Sequence, residues 1–239
     1  MIERDEAGFP QGTGIFETIR TEEGKVIALG RHMRRALKSA DALGFSLPDE
    51  ETLRIEIVRI LEEKPLPIGR LRICFAPDFF DITHEPYVEK RSPVRINFYS
   101  TSVVGALHKQ YPYDDRLAIL ESARLEAFDE SLLFNTSNEI TEVATANVIF
   151  RIGSEWVTPP LTAGLLPGVM RALAIEKCGV KVASIHISQI PEITSGILVS
   201  SLRIASHISH IGEMALTIDQ DSERLISEIR ASAQPDSVG

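Results

Sequence analysis

Asn138-Glu139-Ile140-Thr141-Glu142-Val143-Ala144-Thr145-Ala146-Asn147 is the stretch that decides the fold, because Lys109 precedes its second glutamate by 33 residues. A lysine amine forms a Schiff base with an aldehyde, and a carboxylate keeps a ring nitrogen protonated. Further along, Pro167-Gly168 predicts a turn into a helix, whose first N–H groups favour an anion such as a phosphate. Taken alone, Lys109 reads as a solvated loop residue and Glu142 as an exposed strand residue. Their combination favours a site.

The composition is that of a globular protein that acts on a small molecule. Of 239 residues, 44% are apolar and 25% charged, and we expect two domains. The formal net charge is 25 − 34 = −9 and no long Lys/Arg run occurs, so neither a nucleic acid nor a membrane is expected as a partner. The acidic start, residues 1–6, has no apolar segment behind it, which predicts a cytoplasmic protein. Cys74 and Cys178 form no metal-like cluster, and no metal is expected.

The first half of the chain predicts a small sheet with two helices. Alternating residues around a turn at 22–25 predict a hairpin, and apolar residues then recur at helical spacing. A long polar stretch containing His84 and Arg91 is interpreted as a functional or mobile loop. The predicted elements are strands 14–20 and 26–29, a helix from 30 to 43, a helix that opens at 47–51, and strands 70–75 and 94–99.

The second half predicts a larger domain with its own helices and a meander of strands. We predict a small N-terminal α+β domain over 1–102, a linker over 103–109 that ends at Lys109, and a larger domain over 110–239. The polar tail from 233 is expected to be disordered. The predicted elements are helices 116–127 and 167–178 and strands 131–134, 139–141, 146–152, 155–157, 180–187 and 197–201.

The order and separation of these motifs resemble the fold-type-IV pyridoxal-phosphate enzymes. These are the class IV aminotransferases, which include branched-chain aminotransferase, D-amino-acid aminotransferase and aminodeoxychorismate lyase. The resemblance covers nearly the whole chain and implies an α+β fold with a small N-terminal α/β sheet domain and a larger C-terminal β-barrel-like domain with helices. Pyridoxal 5'-phosphate would lie between them. Besides Lys109, the resemblance rests on 12–20 (GTGIFETIR), 32–35 (HMRR) with 39–40, 129–133 (DESLL), 141–142 with Asn147, 158–161 (TPPL), 166–171 (LPGVMR) and 200–203 (SSLR).

The resemblance implies a role for each matching residue. Lys109 matches the Schiff-base lysine, which also moves the substrate's α proton, and Glu142 matches the carboxylate opposite the pyridine nitrogen. Tyr113 falls where some members place a tyrosine bonded to the cofactor's phenolic oxygen. Leu166 matches an apolar residue against the ring face.

The phosphate would be bound by a second set of matching residues. Arg35 matches the family's arginine, whose planar guanidinium suits a phosphate, while its neighbour Arg34 is interpreted as a surface charge. Val169 and Met170, after Gly168, would donate backbone N–H groups. Ser201 would add a hydroxyl.

The chain departs from the family pattern in three places. Pro112 stands where the family usually has an asparagine, the N-terminal strand is largely missing, and Gln11 replaces a frequent aromatic residue. These departures bear on the substrate more than on the cofactor.

The function that the resemblance favours is a pyridoxal-phosphate-dependent aminotransferase, acting between an amino acid and a 2-oxo acid. The alternative is aminodeoxychorismate lyase, which releases pyruvate and leaves 4-aminobenzoate with the same catalytic residues. A remote alternative is a pyridoxal-phosphate-binding protein without turnover. Candidates for the substrate carboxylate are His84, Arg91 and Arg203, and the resemblance implies a homodimer.

Overall fold

The computed structural model describes residues 3–90, 92–103 and 107–236, which fold into two compact units. Each unit contains helices and one sheet, so the predicted α+β fold with two domains is confirmed. Of the described residues, unit 1 combines 3–89, 108–113 and 234–236, and unit 2 combines 90, 92–103, 107 and 114–233.

The described residues form fifteen strands, five α-helices and two 3-10 turns. The strands are β1 (Gly14–Glu22), β2 (Lys25–Ile27), β3 (Ile68–Ala76), β4 (Phe79–Pro86), β5 (Val94–Phe98), β6 (Gln110–Tyr111), β7 (Glu130–Phe134), β8 (Ile140–Val143), β9 (Asn147–Ile152), β10 (Glu155–Thr158), β11 (Lys181–Val182), β12 (Ile193–Ser200), β13 (Ile204–Ile211), β14 (Met214–Ala215) and β15 (Pro235–Asp236). The α-helices are α1 (Leu29–Leu43), α2 (Glu50–Glu63), α3 (Asp114–Leu125), α4 (Val169–Lys177) and α5 (Gln220–Ser232), with 3-10 turns at Leu161–Ala163 and Ile187–Glu192.

Unit 1 is built on a sheet in the order β15-β2-β1-β3-β4, with β6 paired to the start of β1. Strand alternation gives β1 two faces. Ile15 and Ile19 pack into a core with Ala36 of α1 and Ile57 of α2. Glu17 lies between the two isoleucines in sequence and therefore shares the face that carries the helices.

The helices of unit 1 begin and end where local chemistry allows. Gly44 ends α1 with a φ of 79°, a left-handed conformation that glycine adopts readily, as predicted. Asp49 precedes α2 and its carboxylate accepts a hydrogen bond from Thr52 N at 2.9 Å.

Unit 2 is built on a larger sheet in the order β11-β10-β9-β12-β13-β5-β7-β8, with β14 paired to β13. Its core is formed by apolar residues of the central strands, among them Phe150, Leu198 and Ile208, all of which are fully buried. β8 carries Glu142 and β9 begins at Asn147, so residues 138–147 comprise β8, the connection that follows it and the first residue of β9.

The polar stretch predicted as a functional loop is in large part a strand. β4 pairs with β3 along its whole length, from Phe79 opposite Ala76 to Pro86 opposite Gly69. Phe80 and Ile82 pack against the core of unit 1. The alternation was hidden because the other face of the strand is polar and the stretch is rich in proline.

The two units divide the chain differently from the predicted domain boundaries. β5 belongs to unit 2 because it pairs with β7 and β13, and residues 108–113 belong to unit 1 because β6 pairs with β1. In the tail that was expected to be disordered, Pro235 pairs with Ile27 and Asp236 with Val26. The strand β13 and the helix α5 were not predicted.

Within the described ranges, no helix has both the length and the apolar character that a membrane span requires. Those same ranges hold no group of three or more His, Cys, Asp or Glu side chains placed to bind a metal ion.

Candidate active site

Lys109 lies beside the start of β1 in unit 1. Its carbonyl accepts a hydrogen bond from Phe16 N at 2.8 Å. Its side chain is half-buried, and Nζ lies 4.4 Å from the ring centroid of Phe16 and 4.8 Å from that of Tyr113. The amine is therefore flanked by two aromatic rings, an environment that differs from that of a solvated loop lysine.

The two rings belong to an aromatic cluster in unit 1. Phe9 meets Phe16 edge to face with ring centroids 4.7 Å apart and stacks on Tyr111 at 5.8 Å. Phe16 and Tyr113 meet edge to face at 5.1 Å. Burial raises the pKa of Tyr111 to about 12, and its hydroxyl has no hydrogen-bond partner among the described residues. Phe9 precedes β1, so the short N-terminal segment contributes an aromatic wall that the sequence analysis missed.

Arg35, the predicted phosphate ligand, is held by a buried carboxylate in unit 1. Glu17 accepts hydrogen bonds from Arg35 Nε at 2.9 Å and from Nη2 at 2.5 Å. His32 Nδ1 lies 2.6 Å from the same carboxylate. Arg34 is exposed, as expected of a surface charge on α1.

Arg72 is a second half-buried guanidinium in unit 1. It lies on β3, with its Cζ 4.2 Å from the ring centroid of Phe9 and 5.9 Å from that of Phe16. Its Nη1 donates to Ala7 O at 2.6 Å, but its buried Nε has no partner among the described residues. An unmatched charged donor next to the rings around Lys109 is suited to an anionic group of a substrate.

In unit 2, hydrogen bonds from several residues fix the position of Glu142. Arg116 Nη2 of α3 donates to Oε1 at 2.8 Å, and Asn147 Nδ2 and Leu166 N both donate to Oε2 at 3.2 Å. The glutamate side chain is 6% exposed, in contrast to the exposed strand residue that its local sequence suggested. Hydrogen bonds from charged and neutral donors favour the ionised form of a carboxylate.

The turn before α4 is shaped for a close approach of the backbone. A Cβ at Gly168 would lie 1.8 Å from Asn147 Oδ1, so any other residue there would displace the Asn147 amide. No described side chain caps the first turn of α4, and the side chains of Val169 and Met170 are buried. Any contact that these two residues make with an anion would therefore come from their backbone N–H groups.

Ser201 and Arg203 lie between β12 and β13 in unit 2. The backbone N–H of Arg203 donates to Ser200 Oγ at 3.4 Å. Burial raises the pKa of Glu130 to about 6, and the charge of Arg203 opposes this rise, which places Arg203 close to a buried acid.

The remaining substrate candidates differ in their surroundings. His84 is 4% exposed, and its ring nitrogens lie 2.8 Å from Thr21 Oγ1 and 3.1 Å from Lys64 O. These contacts favour a structural role within unit 1 over substrate binding. Arg91 lies outside the described residues.

The structure thus gathers the predicted residues into two groups, one in each unit. Lys109 and Tyr113 lie with the aromatic cluster of unit 1, and His32 links this group to Arg35, because the charge of Lys109 acts on the His32 ring. In unit 2, Asn147 Nδ2 bonds both Glu142 and Leu166 O, and Asn147 Oδ1 approaches Gly168.

Sequence reasoning missed residues whose importance depends on their partners in space. Arg116 gives no signal of its own, because it is one of several charges at the start of a predicted helix. Arg72 could have been found, since alternation along β3 places it on the opposite face from Leu71 and Ile73.

Each unit, taken by itself, carries groups that suit a phosphorylated pyridine aldehyde. An amine between aromatic rings, a buried carboxylate fixed by donors and a glycine turn at a helix start are the parts that such a cofactor needs. The unmatched Nη1 of Arg116, buried beside Glu142, shows that the polar groups near this carboxylate are incompletely satisfied by the described residues.

Known proteins that are similar to this chain include enzymes named as lyases and aminotransferases. A protein from Schizosaccharomyces pombe (strain 972 / ATCC 24843), provisionally named aminodeoxychorismate lyase, is 23% identical over 182 residues, which cover 69% of this chain and 74% of that protein. A crystal structure described provisionally as 4-amino-4-deoxychorismate lyase, from Legionella pneumophila subsp. pneumophila str. Philadelphia 1, superimposes with a TM-score of 0.85 at 21% identity and covers 92% of this chain and 91% of that one.

A hypothetical aminotransferase from Mycobacterium tuberculosis in its PLP-bound form gives a TM-score of 0.83 at 17% identity and covers 93% of this chain and 89% of that one. The model of the family described as amino-transferase class IV matches residues 14–211, well over half of the sequence. The chain therefore belongs to the class IV aminotransferase family, the sequence-based resemblance is confirmed, and the protein is an enzyme of the pyridoxal-phosphate-dependent type.

Proposed function

We propose that this chain is an aminotransferase that binds pyridoxal 5'-phosphate through Lys109 and moves an amino group between an amino acid and a 2-oxo acid. The observation that carries the proposal is the half-buried amine of Lys109 between the rings of Phe16 and Tyr113. The two rings would hold Nζ in place for reaction with the aldehyde of the cofactor, with which a lysine amine forms a Schiff base.

The bound cofactor would supply an aldehyde for the lysine amine and a ring that accepts electrons from the substrate carbon. Lys109 Nζ would hold the cofactor and then accept the proton of the substrate's α carbon. Glu142, fixed by Arg116 and Asn147, would keep the pyridine nitrogen protonated. Tyr113 would donate its hydroxyl to the phenolic oxygen of the ring.

The phosphate would be bound by one side chain and a set of backbone donors. Arg35 would contribute a guanidinium with a fixed orientation, and Val169 and Met170 would contribute N–H groups at the start of α4. Ser201 would add a hydroxyl, and Leu166 would pack on the ring face. By resemblance, we also expect a homodimer.

Arg72 is our candidate for the substrate carboxylate. Its Nε is a buried donor without a partner among the described residues, and its guanidinium packs on the rings of Phe9 and Phe16, close to Lys109. A carboxylate bound there would satisfy the donor in a charge-assisted hydrogen bond.

The second candidate function is aminodeoxychorismate lyase. It is favoured by the names of the S. pombe protein and the Legionella structure, the latter of similar length to this chain. Both reactions require removal of the same α proton by Lys109, so the catalytic residues support both. The products distinguish them: a transferred amino group in the first reaction, pyruvate and 4-aminobenzoate in the second.

Attachment of the cofactor is tested by borohydride reduction of the protein incubated with pyridoxal phosphate, followed by peptide mass mapping. We expect the label on Lys109 and its loss in Lys109→Ala. Lys38→Arg, which changes a lysine of α1 outside the site, should leave the label in place. A stable label on another lysine would reject the proposed site.

Product analysis then separates the reactions. Consumption of an amino acid and 2-oxoglutarate with formation of glutamate supports transamination. Release of pyruvate and 4-aminobenzoate from aminodeoxychorismate supports the lyase. Labelling of Lys109 without either product would support a pyridoxal-phosphate-binding protein without turnover.

A further inference from the structure

A buried carboxylate fixes the guanidinium that we assign to the cofactor's phosphate. Glu17 is 2% exposed and engages Nε and Nη2 of Arg35 at 2.9 and 2.5 Å. Its Oε2 also lies 2.6 Å from His32 Nδ1. Two of the three guanidinium nitrogens are therefore bound to one carboxylate, which defines the plane and direction of the group.

The charges in this cluster are well defined. Burial alone would raise the pKa of Glu17, but the charges of Arg35 and His32 and their hydrogen bonds outweigh it and lower the pKa to about 2. Burial lowers the pKa of His32. Glu17 alone would raise this pKa, but the positive charges of Arg35 and Lys109 add to the lowering, and the net shift is downward. At neutral pH the cluster thus consists of one anion, one cation and a neutral imidazole.

An arginine that is already fixed loses little freedom when it binds an anion. An unrestrained arginine side chain populates many rotamers, and binding must overcome this conformational entropy. The bidentate pair with Glu17 removes that freedom when the protein folds, before any ligand arrives. Preorganisation of this kind raises affinity without adding a contact.

We propose that Glu17 is a positioning residue that fixes Arg35 for the phosphate group, and that it thereby makes the site prefer pyridoxal phosphate to unphosphorylated pyridoxal. This inference rests on the proposed function, since it assumes that the phosphate binds at Arg35. Glu17 itself would touch neither the cofactor nor the substrate.

Simple electrostatics predicts the opposite effect. Removal of the Glu17 charge would leave Arg35 as an uncompensated cation, which attracts a phosphate dianion more strongly. If positioning dominates, loss of the carboxylate should weaken phosphate binding in spite of this added attraction. The direction of the change therefore decides between the two effects.

The test compares the affinities of the protein for pyridoxal phosphate and for pyridoxal, each measured from the absorbance change on binding. We expect the wild type to prefer the phosphorylated form, and Glu17→Gln to reduce that preference by about tenfold or more. A preference that is unchanged or larger in Glu17→Gln would overturn the inference. Inorganic phosphate should compete with pyridoxal phosphate less well in the variant.

Asp81→Asn is the matched control. Asp81 is also buried and bonds an arginine with both oxygens, Arg4 Nη2 at 2.7 Å and Nε at 2.9 Å, in the same sheet. If Asp81→Asn lowers the preference as much as Glu17→Gln does, general damage to unit 1 is the cause and the inference fails.

A second variant covers the case in which Glu17→Gln does not fold. Glu17→Asp keeps the charge but withdraws the carboxylate by one methylene, so it should also lower the preference, and the same criterion then applies to it. The outcomes separate the two proposals. Absence of pyridoxal phosphate at Lys109 in the wild type rejects the proposed function, whereas normal wild-type binding with an unchanged preference in the variants rejects only the role of Glu17.

Discussion

Arg72 is the residue that we propose to bind the substrate carboxylate. Because a charge-assisted hydrogen bond contributes roughly 1.5–3 kcal/mol, Arg72→Met should raise KM for the carboxylate substrate about tenfold or more. The affinity for pyridoxal phosphate should stay at the wild-type value. Steady-state kinetics and a cofactor titration measure the two quantities.

Arg70→Met is the control for this change. Arg70 lies two residues earlier on β3, is partly exposed, and pairs with Glu85. Its replacement should leave KM unaltered. A fall in kcat without a change in KM for Arg72→Met would argue against binding of the substrate carboxylate at this position.

Residues of the candidate site could be predicted from sequence only where residue type and spacing alone indicate their role, without knowledge of their neighbours in space. Lys109 and Glu142 were singled out by residue type and spacing, and the structure gives both of them surroundings that suit the predicted chemistry. Glu17 lay within a quoted motif, yet nothing in the sequence shows that it faces His32 and Arg35. The contact of Glu17 with these two residues depends on the packing of β1 against α1, which the chemistry of single residues does not encode.

Among the structural elements, the connection between β8 and β9 has a hydrogen-bonded contact that we expect to depend on pH. Glu130 of β7 accepts hydrogen bonds from Thr145 Oγ1 and from Thr145 N, the latter at 3.2 Å. Burial raises the pKa of Glu130 from 4.5 to about 6, although the bonds from Thr145 and the charges of Arg203 and Arg124 oppose this rise. Thr145 lies in the connection between Glu142 and Asn147. This connection is therefore tied to β7 by a carboxyl group whose pKa is about 6.

The sign of the effect on stability follows from the raised pKa. The folded protein retains the proton that the unfolded chain releases near pH 4.5, so this contribution is complete below pH 4.5 and is lost as the pH rises through about 6. The shift corresponds to roughly 2 kcal/mol. We expect the free energy of unfolding of the wild type, relative to Glu130→Gln, to fall by about this amount between pH 4.5 and 6.5.

Urea unfolding of both proteins at several pH values measures this difference and cancels the other titrating groups. Thr145→Val provides a companion, because the loss of the hydroxyl donor should move the transition to higher pH. A difference between wild type and Glu130→Gln that does not vary with pH would contradict the assignment.

Elements were predictable where one face is apolar at a regular period. The helix α1 fits this rule, and Gly44 ended it as the sequence indicated. β4 escaped because its polar face and its prolines concealed the alternation of Phe80 and Ile82. Helix α5 is amphipathic and begins with a capping box at Asp219, so its signal was present and was overlooked.

For the whole molecule, the last described strand completes the sheet of unit 1. β15 pairs with β2, and Ala28 N donates to Gln234 O at 3.0 Å. A chain that ends after Ala233 should lose these contacts and expose the edge of β2. We expect a destabilisation of roughly 1–3 kcal/mol, because each backbone hydrogen bond contributes about 1 kcal/mol.

Thermal unfolding compares this truncation with a chain that ends after Asp236, which retains β15. Only the shorter chain should show a lower Tm. Equal Tm values for the two chains would mean that the strand contributes nothing to the stability of unit 1.

The existence of two units was predictable from the whole sequence, but their interleaving was not. Composition and the order of motifs indicated two domains. The return of residues 108–113 and 234–236 to unit 1 depends on strand pairing between segments that are far apart in the chain, for which no local pattern exists.

The position of β15 sets the order in which the molecule can be completed during synthesis. Translation finishes the segments of unit 2 before it reaches the strand that closes the edge of unit 1, although unit 1 begins first. The nascent sheet that carries Phe16 and Glu17 must therefore wait, with one edge unpaired, while about 120 further residues are added. Unit 1 begins earlier in the chain than unit 2 and is nevertheless completed after it.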